Sequence, residues 1–202
     1  MDSFPDVPVK KYTDVHHDIQ SGDILLCAGR SLMSNIIQEA TKSVWSHVAF
    51  ILRLDAIGRI MVLESVESIG VRAVPLSSYA FDYNASGKPY PGRVMIARHR
   101  DFKEQNIGNI SKHAIDRLGY PYDTEEIIRI TARIGMSSFG IKDSRPDPIA
   151  RHSGYICSEY AYECFKSVGI SIEYDPLGFI APVDFARCNK INPLWFIETA
   201  PT

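Results

Sequence analysis

Gly154-Tyr155-Ile156-Cys157-Ser158-Glu159-Tyr160 opens a stretch that runs through Phe165 and Val168 to Gly169 and reads as a helix. A cysteine in the first turn of a helix sits at the positive end of the macrodipole, a position that favours the nucleophilic thiolate. Far upstream, Ser46-His47-Val48-Ala49-Phe50 reads as a strand carrying a lone histidine. One hairpin later comes Val62-Leu63-Glu64-Ser65. A helix-start cysteine, a strand histidine and a strand carboxylate are the parts of a thiol nucleophile, its base and the group that orients the base.

The hairpin between His47 and Glu64 can be registered on paper. Residues 46–53 and 59–66 are its strands, and Leu54-Asp55-Ala56-Ile57-Gly58 supplies the turn. If Arg53 pairs with Gly58 across the loop, His47 lies opposite Glu64, Ala49 opposite Val62 and Ile51 opposite Ile60, all on one face. Opposed side chains on one face have Cβ atoms ~5 Å apart, so the carboxylate would stand beside the imidazole. A slip of one residue would send the two to opposite faces.

Working outward, residues 1–20 read as a polar, loosely structured lead-in, and Gly22-Asp23-Ile24-Leu25-Leu26-Cys27 as a short apolar strand. Ser31 caps a helix to Thr41, with Leu32, Ile36, Ile37 and Ala40 at helical spacing. Residues 70–76 form a strand closed by Pro75, residues 82–92 a loop, and residues 93–98 another strand. Residues 103–118 form a helix with Ile107, Ile110, Ala114 and Leu118 on one side and Gly119 as its C-cap. Thr124 caps a further helix with Glu125 and Glu126 in its first turn and Ile127, Ile130 and Ile134 inward. Residues 137–153 are polar and broken by Gly140, Pro146 and Pro148. A loop of that length leading into the Cys157 segment is read as either a lid or a plain insertion. The tail holds a short helix start at residues 180–184 and a last strand around residues 194–197.

A chain of 202 residues, 45% hydrophobic and 23% charged, has the size and mix of one globular domain spanning residues 1–202. Such a core needs no disulfide or metal staple. A net charge of −2 with dispersed basic residues leaves no footprint for nucleic acid. No window approaches the ~18 apolar residues of a membrane span. Met1-Asp2-Ser3-Phe4-Pro5 lacks the charged and apolar regions of a signal peptide, and the four cysteines form no CxxC pair. The expectation is a reducing, cytoplasmic setting. Cys27, Cys164 and Cys188 read as buried apolar filler. His16, His17, His99, His113 and His152 show no ligand spacing, so neither a metal nor another cofactor is expected.

Six short stretches, in order, resemble a known family. They are Ser21-Gly22-Asp23-Ile24, then Ser46-His47-Val48-Ala49, then Leu63-Glu64-Ser65 with Gly70-Val71 behind it. Gly119-Tyr120-Pro121-Tyr122-Asp123, Cys157-Ser158-Glu159 and Pro182-Val183-Asp184 follow. The likeness is to the circularly permuted papain-like hydrolases of the NlpC-type superfamily, in the YiiX-like branch. Unpermuted relatives place the cysteine helix before the histidine strand; here the histidine comes first. The resemblance implies an α+β fold, with an antiparallel sheet or half-barrel packed against helices. It also implies Cys157 as nucleophile, His47 as base and Glu64 as the orienting third member.

The expected activity is cleavage of an amide bond through a thioester on Cys157, in a small peptide or an amino-acid conjugate. Tyr122, Asp123, Tyr155 and Asp23 are candidate substrate-binding residues; a turn signal is the bland reading of Tyr122 and Asp123. Glu159 reads as a charge at the helix N-terminus. Two other classes stay open. One is an acyltransferase or lipid esterase with the same triad, which an apolar acyl groove would mark. The other is a ligand-binding module without turnover. A lone helix cysteine is usually core and a lone strand histidine usually structural, while Glu64 also fits a strand end in solvent. Beside the family pattern these bland readings recede.

Overall fold

The structure is a computed structural model that describes residues 4–127, 129–130, 154–174 and 179–199. Its centre is a sheet of seven strands: β1 (Val9–Lys10), β2 (Asp23–Gly29), β3 (His47–Leu54), β4 (Arg59–Val66), β5 (Gly70–Pro75), β6 (Gly92–His99) and β7 (Ile191–Ile197). They lie in the order β1-β7-β6-β2-β3-β4-β5. Every pairing is antiparallel except that of β1 with β7. Among the described residues the helices α1 (Tyr12–Val15), α2 (Leu32–Thr41), α3 (Leu76–Phe81), α4 (Ile107–Ile115), α5 (Cys157–Lys166) and α6 (Pro182–Arg187) accompany the sheet. Residues 124–127 and 129–130 are also helical. The fold is α+β, with an open sheet.

The alternation of the central strands divides the core into two layers. Leu26, Val48, Phe50 and Leu63 pack with Tyr160, Ala161 and Phe165 of α5 and with Ile110 and Ala114 of α4. Leu25, Cys27, Ala49, Ile51 and Val62 pack on the other face with Leu76 and Tyr79 of α3 and Val15 of α1. Nearly all these side chains are fully buried, so burial on both faces explains why β2 and β3 read as continuous apolar runs. The Tyr160 hydroxyl ties α5 to α4 by donating to Ala114 O at 2.9 Å.

Several local expectations are corrected. The lead-in is built into the fold: β1 pairs with β7, and Val15 and Ile19 are buried. Helix α3 falls where no helix was expected; it is only six residues long and follows directly on Pro75, too short for a periodic signal. The expected helix over residues 103–118 is a 3₁₀ turn at Glu104–Asn106 followed by α4, and Leu118 lies beyond its end, exposed. Asp123, rather than Thr124, caps the next helix by accepting the Glu126 N–H at 2.9 Å. Helix α2 begins at the expected Ser31 cap, yet none of its residues is fully buried. Strand β7 starts at Ile191, earlier than expected, and a bulge between Ile96 and Ala97 of the β6 ladder lets it carry Pro193. Ile134 and the loop at residues 137–153 lie outside the described residues.

Candidate active site

The β3–β4 hairpin brings the histidine and the carboxylate together by a route that differs from the paper register. Arg53 pairs with Ile60, where the shorter loop would have given Gly58, an offset of two residues. Ile51 accordingly faces Val62, not Ile60. An even offset preserves the face of every side chain. His47 and Glu64 therefore remain on one side of the sheet, and His47 Nε2 donates to Glu64 Oε2 at 2.6 Å. Glu64 is fully buried and His47 keeps 15% of its side chain exposed.

Glu64 is also bound by two residues that the sequence reading passed over. The Tyr79 hydroxyl donates to Oε2 at 2.6 Å. Arg72 donates to Oε1 from Nε at 2.9 Å and approaches it with Nη2 at 2.8 Å. Arg72 was accessible to the same parity argument, because the tight β4–β5 turn closes Val66 on Gly70 and sets Glu64 opposite Arg72. Tyr79 was not, since it comes from α3. Burial alone would push the Glu64 carboxyl up. The bonds from His47 and Tyr79 and the charges of His47 and Arg72 instead hold it below its ordinary range. Burial alone would likewise lower His47, but hydrogen bonding to Cys157 and Glu64, and their negative charge, raise it to about 10.

Cys157 reaches this pair around the rim of the sheet. By parity His47 belongs to the face that packs on α3, whereas α5 lies on the other face. The two meet because His47 is the first residue of β3 and Cys157 the first of α5. Short polar contacts seat the start of α5. The Ser65 hydroxyl donates to Tyr155 O at 2.6 Å, and Tyr155 N donates to Pro121 O at 3.0 Å. A Cβ on Gly154 would stand 2.5 Å from Pro121 O, so only glycine allows this approach. The Ile156 N–H donates to Glu159 Oε2 at 3.3 Å, the helix N-terminal role expected of Glu159. The Ser158 hydroxyl donates to Ile180 O at 2.8 Å.

A cavity of about 270 Å³ opens on Cys157 and His47, walled by Ser46, Ser65, Glu67, Arg72, Asn84, Tyr90 and Tyr122. The residues 119–122 that carry Tyr122 are laced to β5, with Val71 N donating to Tyr120 O at 2.8 Å and Gly119 N to Val71 O at 2.9 Å. On another side of Cys157 is an apolar pocket of about 30 Å³, lined by Ile36, Ile37, Ala40, Ile127, Ile130 and Phe179 among others. This pocket is what the apolar side of α2 faces.

The other candidate substrate-binding residues lie elsewhere. Asp123 serves as the helix cap just described. The Tyr155 hydroxyl accepts from Arg117 Nε at 2.9 Å. Asp23 sits at the opposite end of β2 from Cys27, the partner of His47, and is held by Arg98 through Nε at 2.6 Å and Nη2 at 2.9 Å. Cys27 and Cys164 are buried free thiols and Cys188 is half-buried. Among the described residues no three His, Cys, Asp or Glu side chains converge as a metal site requires. Nor is any helix among them long and apolar enough to cross a membrane.

Comparison with known proteins gives two findings. The family model of the permuted papain-like amidase enzymes, the YaeF/YiiX or C92 family, matches residues 18–128. His47, Glu64, Arg72 and Tyr122 fall within that stretch, and Cys157 beyond it. The chain is also similar in fold to the solved structure of YiiX from Escherichia coli O157:H7, described as a metalloprotein. The TM-score is 0.59 and the identity 19%, over 87% of this chain and 98% of that one. No curated protein matches the chain.

Proposed function

The chain belongs to the permuted papain-like amidase family, a family of cysteine peptidases and amidases, and from that premise we propose that it cleaves an amide through Cys157, His47 and Glu64. The carrying observation is that Cys157 and His47 open on one cavity while His47 Nε2 donates to the buried Glu64 at 2.6 Å, with interaction with Cys157 among the causes that raise His47. With Nε2 engaged by Glu64, the other ring nitrogen, Nδ1, is left for the thiol. A His47 held protonated to about pH 10 supports a thiolate–imidazolium resting pair.

In this mechanism Cys157 Sγ attacks the amide carbonyl carbon and the carbonyl π electrons move to oxygen. Cys157 is the first residue of α5, so its own N–H has no intrahelical acceptor and is available to the oxyanion. The tetrahedral species collapses with loss of the C–N bond, and the amine leaves with the proton from His47. Water, giving its proton to His47, then attacks the thioester carbonyl and releases the acid. That proton returns to sulfur or stays on His47 as the resting ion pair. Glu64 holds the ring in place throughout and stabilises its charged form. Tyr122, on the cavity wall, is the substrate-binding candidate best placed to touch the acyl group. A peptide or amino-acid amide suits a cavity of about 270 Å³ with serine hydroxyls in its wall.

The apolar pocket beside Cys157 favours a second reading, acyl transfer or ester cleavage on a lipid. At about 30 Å³ it seats a methyl-sized group rather than a chain, which ranks this reading second.

The experiment is a panel of aminoacyl and peptidyl anilides beside acyl esters of increasing length, with the acyl-enzyme trapped and located by mass spectrometry. Amide turnover with the acyl group on Cys157, lost in Cys157→Ser and His47→Ala, is the expected result. Turnover of long-chain esters alone supports the lipid reading. Hydrolysis that persists in Cys157→Ser overturns both.

A further inference from the structure

A thiolate beside an imidazolium is a neutral pair, and a bare buried carboxylate next to it would leave the pocket negatively charged. In a pocket of low polarity one uncompensated anion opposes the formation of another. Glu64 is not bare. Arg72 stands directly across from it in the β4–β5 ladder, and two of its nitrogens converge on Oε1 at 2.9 and 2.8 Å. The third nitrogen, Nη1, donates to Asn84 Oδ1 at 3.2 Å. Asn84 is itself fixed at φ 53° and ψ 37°, a left-handed conformation that asparagine tolerates. The Arg72 side chain is only 13% exposed, so water screens the pair weakly.

The other titratable groups facing Glu64 do not offset its charge. Cys27 on β2 and Tyr79 on α3 are both pushed well up by burial and are neutral at neutral pH. Tyr83, tilted against Tyr79, Tyr90, stacked on it, and Tyr122 across the cavity are raised by burial as well. Glu67 is at the exposed β4–β5 turn, where solvent screens it. Next to Glu64 itself the charge is set by Arg72, His47 and Cys157, while Glu67, Glu159 and Asp123 act on the Tyr122 side of the cavity.

We infer that Arg72 is a positioning residue that neutralises Glu64, so that the third member of the triad is a Glu–Arg pair of zero net charge. The Cys157 thiolate then forms against no uncompensated anion, while Glu64 still orients His47. This inference rests on the catalytic reading of Cys157, His47 and Glu64.

The test is the rate of Cys157 alkylation by iodoacetamide as a function of pH, with the site read by mass spectrometry. The proteins are the wild type, Arg72→Lys, Arg72→Met, Glu64→Gln and the Glu64→Gln/Arg72→Met double variant, each checked for a cooperative thermal transition. The acid midpoint follows net charge. It rises by about one pH unit in Arg72→Met, so that alkylation below the midpoint slows about tenfold. It falls in Glu64→Gln and returns towards the wild type in Arg72→Lys and in the double variant. An Arg72→Met midpoint that stays put while only thermal stability drops overturns the inference and leaves Arg72 a packing residue. So does a double variant displaced further than Arg72→Met. Should Arg72→Met fail to fold, Glu64→Gln against the double variant carries the same comparison, and adding Arg72→Met must raise the midpoint. A wild-type midpoint of an ordinary thiol that His47→Ala leaves unchanged is a different failure: the catalytic reading itself falls, and this inference with it.

Discussion

His47 meets Glu64 on the diagonal of the β3–β4 ladder. In the register that pairs Phe50 with Leu63, Glu64 comes level with Ala49, two residues beyond His47, and the 2.6 Å bond from Nε2 to Oε2 spans the gap. Diagonal neighbours on one face stand ~7–8 Å apart, a distance that needs long side chains. Glu64→Asp keeps the charge and loses one methylene of reach. It is expected to lower kcat/KM at least about tenfold, or roughly 1.4 kcal/mol of transition-state stabilisation. It also leaves buried donors on Tyr79 and Arg72 short of their acceptor. Steady-state kinetics beside a urea melt check both effects; unchanged kinetics would remove Glu64 from the triad.

The pH dependence of stability has a definite sign. His47 stands above its ordinary value of 6.5, so its contribution is complete below about 6.5 and is lost as pH rises towards about 10. Glu64 stands below its ordinary value of 4.5, so its contribution is complete above about 4.5 and is lost as pH falls through its folded value. Both are fully present only between these limits. Urea midpoints measured across the range should peak there. His47→Asn should flatten the alkaline decline, and Glu64→Gln the acid one.

Gly70 sets the position of the Tyr122 wall. Its φ is +86°, and a Cβ there would stand 2.1 Å from Tyr120 O. Gly70→Ala must therefore push residues 119–122 off β5, breaking the Val71–Tyr120 and Gly119–Val71 bonds. The expected stability loss exceeds ~1 kcal/mol, with a rise in KM if Tyr122 touches substrate. Calorimetry and substrate titration together separate the two effects.

Asp23 is expected to act through stability alone. Removing its charge in Asp23→Asn takes away the buried partner of Arg98, whose side chain is 32% exposed, so the expected loss is less than the ~3–5 kcal/mol of a fully buried pair. Alkylation of Cys157 at a temperature where the variant remains folded should proceed at the wild-type rate. A slower rate would return Asp23 to the site.

The places where sequence reasoning fell short share a cause. It located the strands of His47 and Glu64 because alternation is a local property, and it placed both on one face because parity survives a two-residue error in loop length. Loop length itself is set by the Asp55–Ile57 turn and Gly58 at φ +61°, which no alternation reveals. Helix α3 left no readable period, so Tyr79 went unseen. Asp23 was singled out for its motif, and its ion pair with Arg98 depends on β6, distant in the chain but adjacent in the sheet.

By itself, the sequence determined the strands of His47 and Glu64, the helix start at Cys157 and the Ser31 cap, which follow from periods and caps a few residues long, while the α+β class rested on the resemblance of six short motifs to a known family. Only the tertiary structure decided that Cys157 reaches His47 around the rim of the sheet. Only it decided that Arg72 and Tyr79 close over Glu64, that α2 faces a small apolar pocket, and that Asp123 and Tyr155 serve the framework. These are contacts between segments far apart in the chain. Their geometry is fixed by packing on both faces of the sheet and by close backbone approaches at Gly70 and Gly154, and no local pattern encodes it.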